Sequence, residues 1–166
     1  MAEIIDLYDK DQNPLGITHV RGDDLAPGQY ALFGLAIITN KQGKYLITQR
    51  VASKPWAANW WEVTGGGVRS GETPIQGLKR EVFEEVGLTI DNPGDPIYTY
   101  TQEAPERNDY YIVNIYHVTL DFDLDDVVLQ TTEAQDCALV DWSDIEALGK
   151  QGTFLHFERI KRALGK

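Results

Sequence analysis

The sequence predicts an α/β fold, and three observations carry that expectation. The run from Tyr30 to Thr39 is almost continuously apolar, as in a strand buried on both faces in the middle of a sheet. A helix from about Pro74 to Val86 is signalled at both ends by capping chemistry. The stretch from Phe154 to Leu164 repeats its apolar residues at helical spacing. The chain has 166 residues, 42% of them apolar, which is enough for one proper core. No linker, repeat or low-complexity tract divides it, so residues 1–166 are expected to form one domain.

Taken in order, Ile4 to Tyr8 and Gly16 to Val20 are short apolar-rich runs separated by the turn sequence Asp9-Lys10-Asp11-Gln12-Asn13-Pro14, which predicts an N-terminal hairpin over about residues 1–22. Asp23 to Gly28 reads as a loop before the strand from Tyr30 to Thr39. Asn40-Lys41-Gln42-Gly43 turns the chain, and Lys44 to Arg50 is expected to return as its hairpin partner. Past the central helix, Ile97 to Gln102 and Tyr110 to Phe122 have the β-branched and aromatic content of strands, with a polar loop from Glu103 to Asp109 between them. Asp121, Asp123, Asp125 and Asp126 lack the glycine and terminal glutamate of a calcium loop and read as a solvated acidic turn. Cys137 to Asp141 is a further strand, Ser143 the expected N-cap of a short helix through Leu148, and Phe154 to Leu164 the closing helix.

The central helix is the best marked element. Thr73 and Gln76 form a Thr-x-x-Gln capping box, Pro74 suits the first helical position, and Gly87 suits the left-handed residue that ends a helix. Ile75, Leu78, Val82 and Val86 fall along one face, the expected buried one, and Gly77 inside the helix points to a close packing contact. Beside that face stand Glu81, Glu84 and Glu85, three and four residues apart and therefore neighbours on the surface. Like charges so placed repel, so the cluster requires full solvation or a cation, and a hard ion such as Mg²⁺ accepts a few carboxylates while leaving room for water and phosphate. Arg80 lies four residues before Glu84 and offsets part of the repulsion.

Composition narrows the function classes. A formal net charge of −11 disfavours a surface that tracks a nucleic-acid polymer, which needs a basic footprint. A small phosphorylated ligand is still compatible, because a bound metal reverses the local field. Cys137 is the only cysteine, so no intramolecular disulfide forms, and it reads as a small buried residue. The N-terminus carries Glu3, Asp6, Asp9 and Asp11 rather than a basic and then apolar leader, and the longest apolar run is too short to span a bilayer. A cytoplasmic protein without membrane partners is expected, with monomer and homodimer both open.

From Gly66 the chain reads Gly, five residues, Glu72, seven residues, then Arg80-Glu81-Val82-Phe83-Glu84-Glu85-Val86-Gly87-Leu88. This segment resembles the Nudix box at every defining position, a match expected by chance in about one window in 10⁹ at average residue usage. The resemblance implies an α/β/α sandwich with a mixed β-sheet, with the box helix on one face and the C-terminal helix on the other. It further implies a Mg²⁺- or Mn²⁺-dependent hydrolase that cleaves a phosphoanhydride in a nucleoside diphosphate derivative. By that resemblance Glu81 and Glu85 are the principal metal ligands and Glu84 a further ligand or water-orienting base. Glu72 is an auxiliary carboxylate, Arg80 orients the glutamates, and the carbonyl of Gly65 adds a ligand. Glu133, just before a strand, stands where relatives often supply another acidic ligand or base, although a solvated glutamate would look the same.

Gly66 and Gly67 allow close backbone approach to substrate. Arg50, at a strand end, is the candidate phosphate contact, with a surface salt bridge as the alternative. Trp56, Trp60 and Trp61 flank the loop before the box; Trp60 is the candidate for stacking a base, and a core position is the alternative for each. The N-terminal hairpin and the order Arg50, Lys54, Trp60 also look like isopentenyl diphosphate isomerase-related members. That isomerase chemistry needs a reactive cysteine between strand end and box, and none lies between Val51 and Gly65. A non-catalytic nucleotide-sensing module is the other alternative, but such members commonly lose box glutamates, and all are present here.

Overall fold

In the computed structural model, which describes residues 2–166, the two N-terminal runs pair antiparallel as β1 (Ile4–Tyr8) and β2 (Pro14–Val20). The main sheet is built around β3 (Ala31–Thr39), which runs parallel to β8 (Asp109–Thr119) over nine residue pairs, from Ala31↔Tyr111 to Thr39↔Thr119. The other strands are β4 (Tyr45–Arg50), β5 (Trp61–Glu62), β6 (Thr64–Gly67), β7 (Tyr98–Ala104) and β9 (Ala134–Val140). The order along the sheet is β5-β4-β3-β8-β7, with β6 on β3 and β9 on β4. One parallel pair among antiparallel ones makes it the mixed sheet that was expected.

Alternation along β3 and β8 gives the sheet two apolar faces. Ala36, Ile38, Tyr116 and Val118 pack with Leu78, Val82 and Val86 of α1 (Pro74–Val86). Ile37, Val113 and Ile115 pack on the opposite face with Ile145 of α2 (Trp142–Lys150) and Ile160 of α3 (Phe157–Ala163). The chain is therefore an α/β/α sandwich. Burying a side chain such as Leu78, which is 1% exposed, contributes about 1.5–3 kcal/mol. A third cluster joins Ile5, Leu7 and Tyr8 of the hairpin to Tyr30, Leu32 and Val68, so the hairpin is packed down beside the segment that precedes α1. Among the described residues no helix is long and apolar enough to cross a membrane.

Helix α1 has the bounds that its caps dictate. Thr73 Oγ1 accepts from the Gln76 N–H, Gln76 Oε1 accepts from the Thr73 N–H, and Gly87 ends the helix at φ 72°. Gly77 is the close contact expected of it, since a Cβ there would lie 3.2 Å from Val68 Cγ2. Ile75 differs from expectation. It is 38% exposed, and Glu81 at 9% exposure joins the buried set instead. Two further differences lie near the C-terminus. The N-cap of α2 is Asp141, reciprocally bonded with Asp144, rather than Ser143. Phe154 to His156 is not helical, because Phe154 bridges to Trp61, the Leu155 N–H donates to the Trp61 carbonyl, and His156 is left-handed.

Candidate active site

The site grows from a splay in the sheet. β3 and β4 are joined by a tight turn, yet they pair only at Thr39↔Tyr45. Beyond that point residues 61–67 thread between them: β5 pairs with β4 through Thr48↔Glu62, and β6 pairs with β3 from Phe33↔Gly67 to Ala36↔Thr64. The glycines of β6 permit this close approach. A Cβ on Gly65 would lie 2.2 Å from the Gly34 carbonyl oxygen, and one on Gly66 would lie 2.4 Å from Glu81 Cδ. The chain then turns into α1, which returns over β6 and sets its glutamates against the glycine backbone.

A cavity of about 400 Å³ opens at this junction. Its acidic wall holds Glu62, Glu81, Glu84, Glu85 and Glu133, with Gly65 and Gly66 at the backbone. Arg50 and Lys54 face them from the end of β4 and the loop after it, and Glu3, Arg21 and Arg69 close the rim. Arg50 Nη1 donates to Glu62 Oε2 at 3.0 Å and Nη2 donates to the Trp56 carbonyl at 3.1 Å, while its Nε is buried without a partner. Lys54 is paired with Glu133.

Behind the wall, Arg80 ties the helix carboxylates together. Its Nε and Nη2 donate to the two oxygens of Glu72 at 2.7 and 2.9 Å, Nη1 donates to Glu81 at 2.8 Å and Glu84 at 3.3 Å, and Nη2 also reaches the Gly67 carbonyl at 3.0 Å. Glu72 additionally accepts the Arg69 N–H at 2.8 Å. Every donor of that guanidinium faces the protein, which suits a positioning role and leaves little for substrate.

The carboxylates divide into two electrostatic groups. Burial works against the charge on Glu72 and Glu3, but hydrogen bonds from Arg80 and Arg69, and from Arg21 and Arg69, hold both below the usual carboxylate range. Burial raises Glu81 in spite of Arg80, and raises Glu62 in spite of Arg50. Glu85 is pushed up to about 9, by burial first and then by the charges of Glu81 and Glu62. The chain thus neutralises its outer carboxylates and leaves the inner ones short of positive charge.

That shortage is what a hard divalent cation corrects, and the donor set is the oxygen-only set such an ion takes. The Gly66 cradle, which a Cβ would fill, holds the Glu81 carboxylate against the backbone. The residues therefore fit the ion. Among the described residues no three Asp, Glu, His or Cys side chains are already gathered as ligands. Arg80 holds one oxygen of Glu81 and one of Glu84.

The structure brings together Glu81, Glu84, Glu85, Glu133, Gly65, Gly66 and Arg50. It does not bring Glu72, Arg80, Gly67 or Trp60 to the cavity wall. Glu72 has both oxygens occupied by Arg80 and Arg69, Gly67 packs against Arg21 and Phe33, and the backbone of Trp60 is used in bonding to Arg50 and Ala57. Glu62 lines the cavity although nothing singled it out in the sequence; its one signal was a position three residues before Gly65 on a strand whose register is set by distant residues. Arg21 was missed as well.

A second cavity of about 490 Å³ lies alongside, lined by Phe33, Leu35, Trp56, Tyr100, Tyr111 and Val113, with Arg21 and His156 among its polar residues. Of the three flanking tryptophans it is Trp56, 61% exposed, that lines it, and Trp61 packs with the α3-side core.

The sequence profile of the NUDIX domain matches residues 33–161. An uncharacterised Nudix hydrolase of Listeria monocytogenes serovar 1/2a is 34% identical over 153 residues, which cover 92% of this chain and 88% of that protein. A shorter match, 45% identical over 56 residues, covers 34% of this chain and 40% of the 8-oxo-dGTP diphosphatase of Haemophilus influenzae. In three dimensions the fold is similar to a MutT protein from Methanosarcina mazei Go1, with a TM-score of 0.65 and 27% identity over 82% of this chain and 96% of that one.

Proposed function

The chain belongs to the Nudix hydrolase family, and from that premise we propose that it is a Mg²⁺-dependent pyrophosphohydrolase cleaving a phosphoanhydride in a nucleoside diphosphate derivative. The observation that carries the reading is the undercompensated group Glu81, Glu85 and Glu62, set in a cavity that Arg50 and Lys54 also line. The carboxylates suit a cation and the two basic residues suit phosphate oxygens.

In this reading Glu81 and Glu85 would hold the ion, with Glu133 and the Gly65 carbonyl as further donors. A bound ion would supply charge neutralisation for the phosphates and would acidify the attacking water. Arg80 fixes the directions of Glu81 and Glu84. Glu84, which is exposed and held between Arg80 at 3.3 Å and Arg69 at 3.9 Å, accepts the proton of the water that attacks phosphorus. Arg50 turns from Glu62 to a phosphate oxygen, and its unmet Nε donor is one reason for that exchange to be favourable. No covalent enzyme intermediate is required. Cys137 is half-buried on β9, its thiol pushed up by burial and by Asp136, and lines neither cavity, which speaks against the thiol chemistry of the isomerase reading. The reading places the enzyme in the cytoplasm and gives it a small-molecule substrate rather than a nucleic-acid polymer.

The test is a product-resolved panel of nucleoside triphosphates, nucleotide sugars, dinucleotides and prenyl diphosphates with Mg²⁺ in water enriched in oxygen-18. A nucleotide derivative should be cleaved with the label on a phosphate product. Isomerised prenyl diphosphate without labelled phosphate would overturn the reading.

A further inference from the structure

We infer that Arg21, carried by the N-terminal hairpin and outside residues 33–161, is a specificity-determining residue: it holds the phosphate that links the cation-facing end of the substrate to a planar moiety seated in the second cavity. The inference rests on the hydrolase reading above and extends it to the substrate's other half.

Arg21 lines both cavities. Its guanidinium carbon sits 5.3 Å from the ring centroid of Phe33, whose ring belongs to the second cavity. Arg50 repeats the arrangement across the opening, with its guanidinium carbon 5.8 Å from the ring centroid of Trp56. In each pair the cation lines the catalytic cavity and the ring lines the apolar one. A molecule spanning such a boundary carries anionic charge on one side and a flat apolar face on the other. The rings of Phe33, Trp56, Tyr100 and Tyr111 suit a heterocycle better than a flexible chain, because π-faces favour planar partners.

Arg21 is also free to act. It donates one N–H to Glu3 Oε2 at 2.9 Å, while Arg69 takes the other oxygen of Glu3 with two bonds, at 3.0 and 2.8 Å. The ion pair with Arg69 therefore keeps Glu3 in place if Arg21 turns to a phosphate. The guanidinium lies over Gly67, where a Cβ would meet its carbon and Nη1 at 3.5 Å, an ordinary contact. The main-chain bond from the Arg21 N–H to the Glu3 carbonyl, at 2.9 Å, anchors the residue to the hairpin.

Binding without turnover tests this. The probes are the α,β-methylene analogues of adenosine, guanosine, cytidine and uridine diphosphates, and methylphosphonate, which offers one phosphorus group to the cation but neither the linking phosphate nor a planar moiety. Each is titrated with Mg²⁺ into wild type, Arg21→Gln and Arg21→Lys by calorimetry, with tryptophan emission as a second readout. At least one nucleotide analogue should bind wild type about 10-fold or more tightly than methylphosphonate, and quench emission that Trp56→Phe removes. Arg21→Gln should lose most of that preference with little change for methylphosphonate, and Arg21→Lys should recover part of it.

Equal weakening of both ligand types would make Arg21 only a clamp on Glu3, and unchanged affinities would make it a bystander. Either result overturns the inference. Hydrolysis by wild type together with either result leaves the hydrolase reading intact, whereas neither binding nor hydrolysis of any nucleotide removes both.

Discussion

Replacing Glu85 by glutamine removes an anionic ligand that the cation would need and leaves the apolar face of α1 untouched. The variant should fold, by circular dichroism, and should lose turnover by more than the ~10–100-fold typical of residues that only orient a ligand. Arg80→Gln should fall within that lower range, because Arg80 touches Glu72, Glu81 and Glu84 and does not line the cavity. Wild-type turnover by folded Glu85→Gln would end the assignment of the site. His156 gives a separate handle. Burial, and then the charges of Arg50 and Arg159, lower its pKa below the ordinary 6.5. The unfolded chain therefore takes up the proton first, so the stabilising contribution is complete above pH 6.5 and is lost as pH falls toward the folded value. Urea unfolding at about pH 7.5 and about pH 5 should show wild type losing more stability on acidification than His156→Asn, since asparagine tolerates the left-handed φ of 58° without titrating.

At the scale of elements, the strand β6, packed against helix α1, carries two neighbouring glycines with different jobs. A Cβ on Gly65 meets the backbone of Gly34 and Leu35, which cannot move without disturbing β3. The three atoms nearest to a Cβ on Gly66 all belong to the carboxylate of Glu81, the far end of a flexible side chain. Gly65→Ala should therefore lower the melting temperature sharply, and Gly66→Ala should keep it within a few degrees while reducing activity about 10-fold or more by displacing Glu81. A thermal scan beside an activity assay separates the two, and the reverse pattern would refute the geometry. The same elements show what was legible in the sequence. The bounds of α1 were readable because Thr73, Gln76 and Gly87 act within one turn of the backbone they cap. The splay of β3 from β4 was not, since it depends on residues 61–67 entering from outside the hairpin, and with it went Glu62. Ser143 is not the cap because the helix starts two residues earlier than expected, where Asp141 and Asp144 form the reciprocal capping pair.

For the whole molecule, a net charge of −11 and a carboxylate cavity make the response to cations the decisive property. Two effects would both stabilise the protein. General screening weakens the self-repulsion of an acidic surface and depends on ionic strength alone. Specific binding at Glu81 and Glu85 stabilises the folded state by mass action, by about 2.7 kcal/mol at a hundredfold excess over Kd, or about 5–10 °C for a chain of this length. Mg²⁺ should therefore raise the melting temperature by that amount relative to NaCl of equal ionic strength, and EDTA should reverse the rise. In Glu85→Gln the difference between the two salts should collapse while the NaCl response persists, because the substitution removes a ligand and hardly alters the total charge. Equal shifts with Mg²⁺ and NaCl in the wild type would reduce the cluster to a solvated acidic face, and the cavity would then need another explanation for leaving Glu85 without a cationic partner.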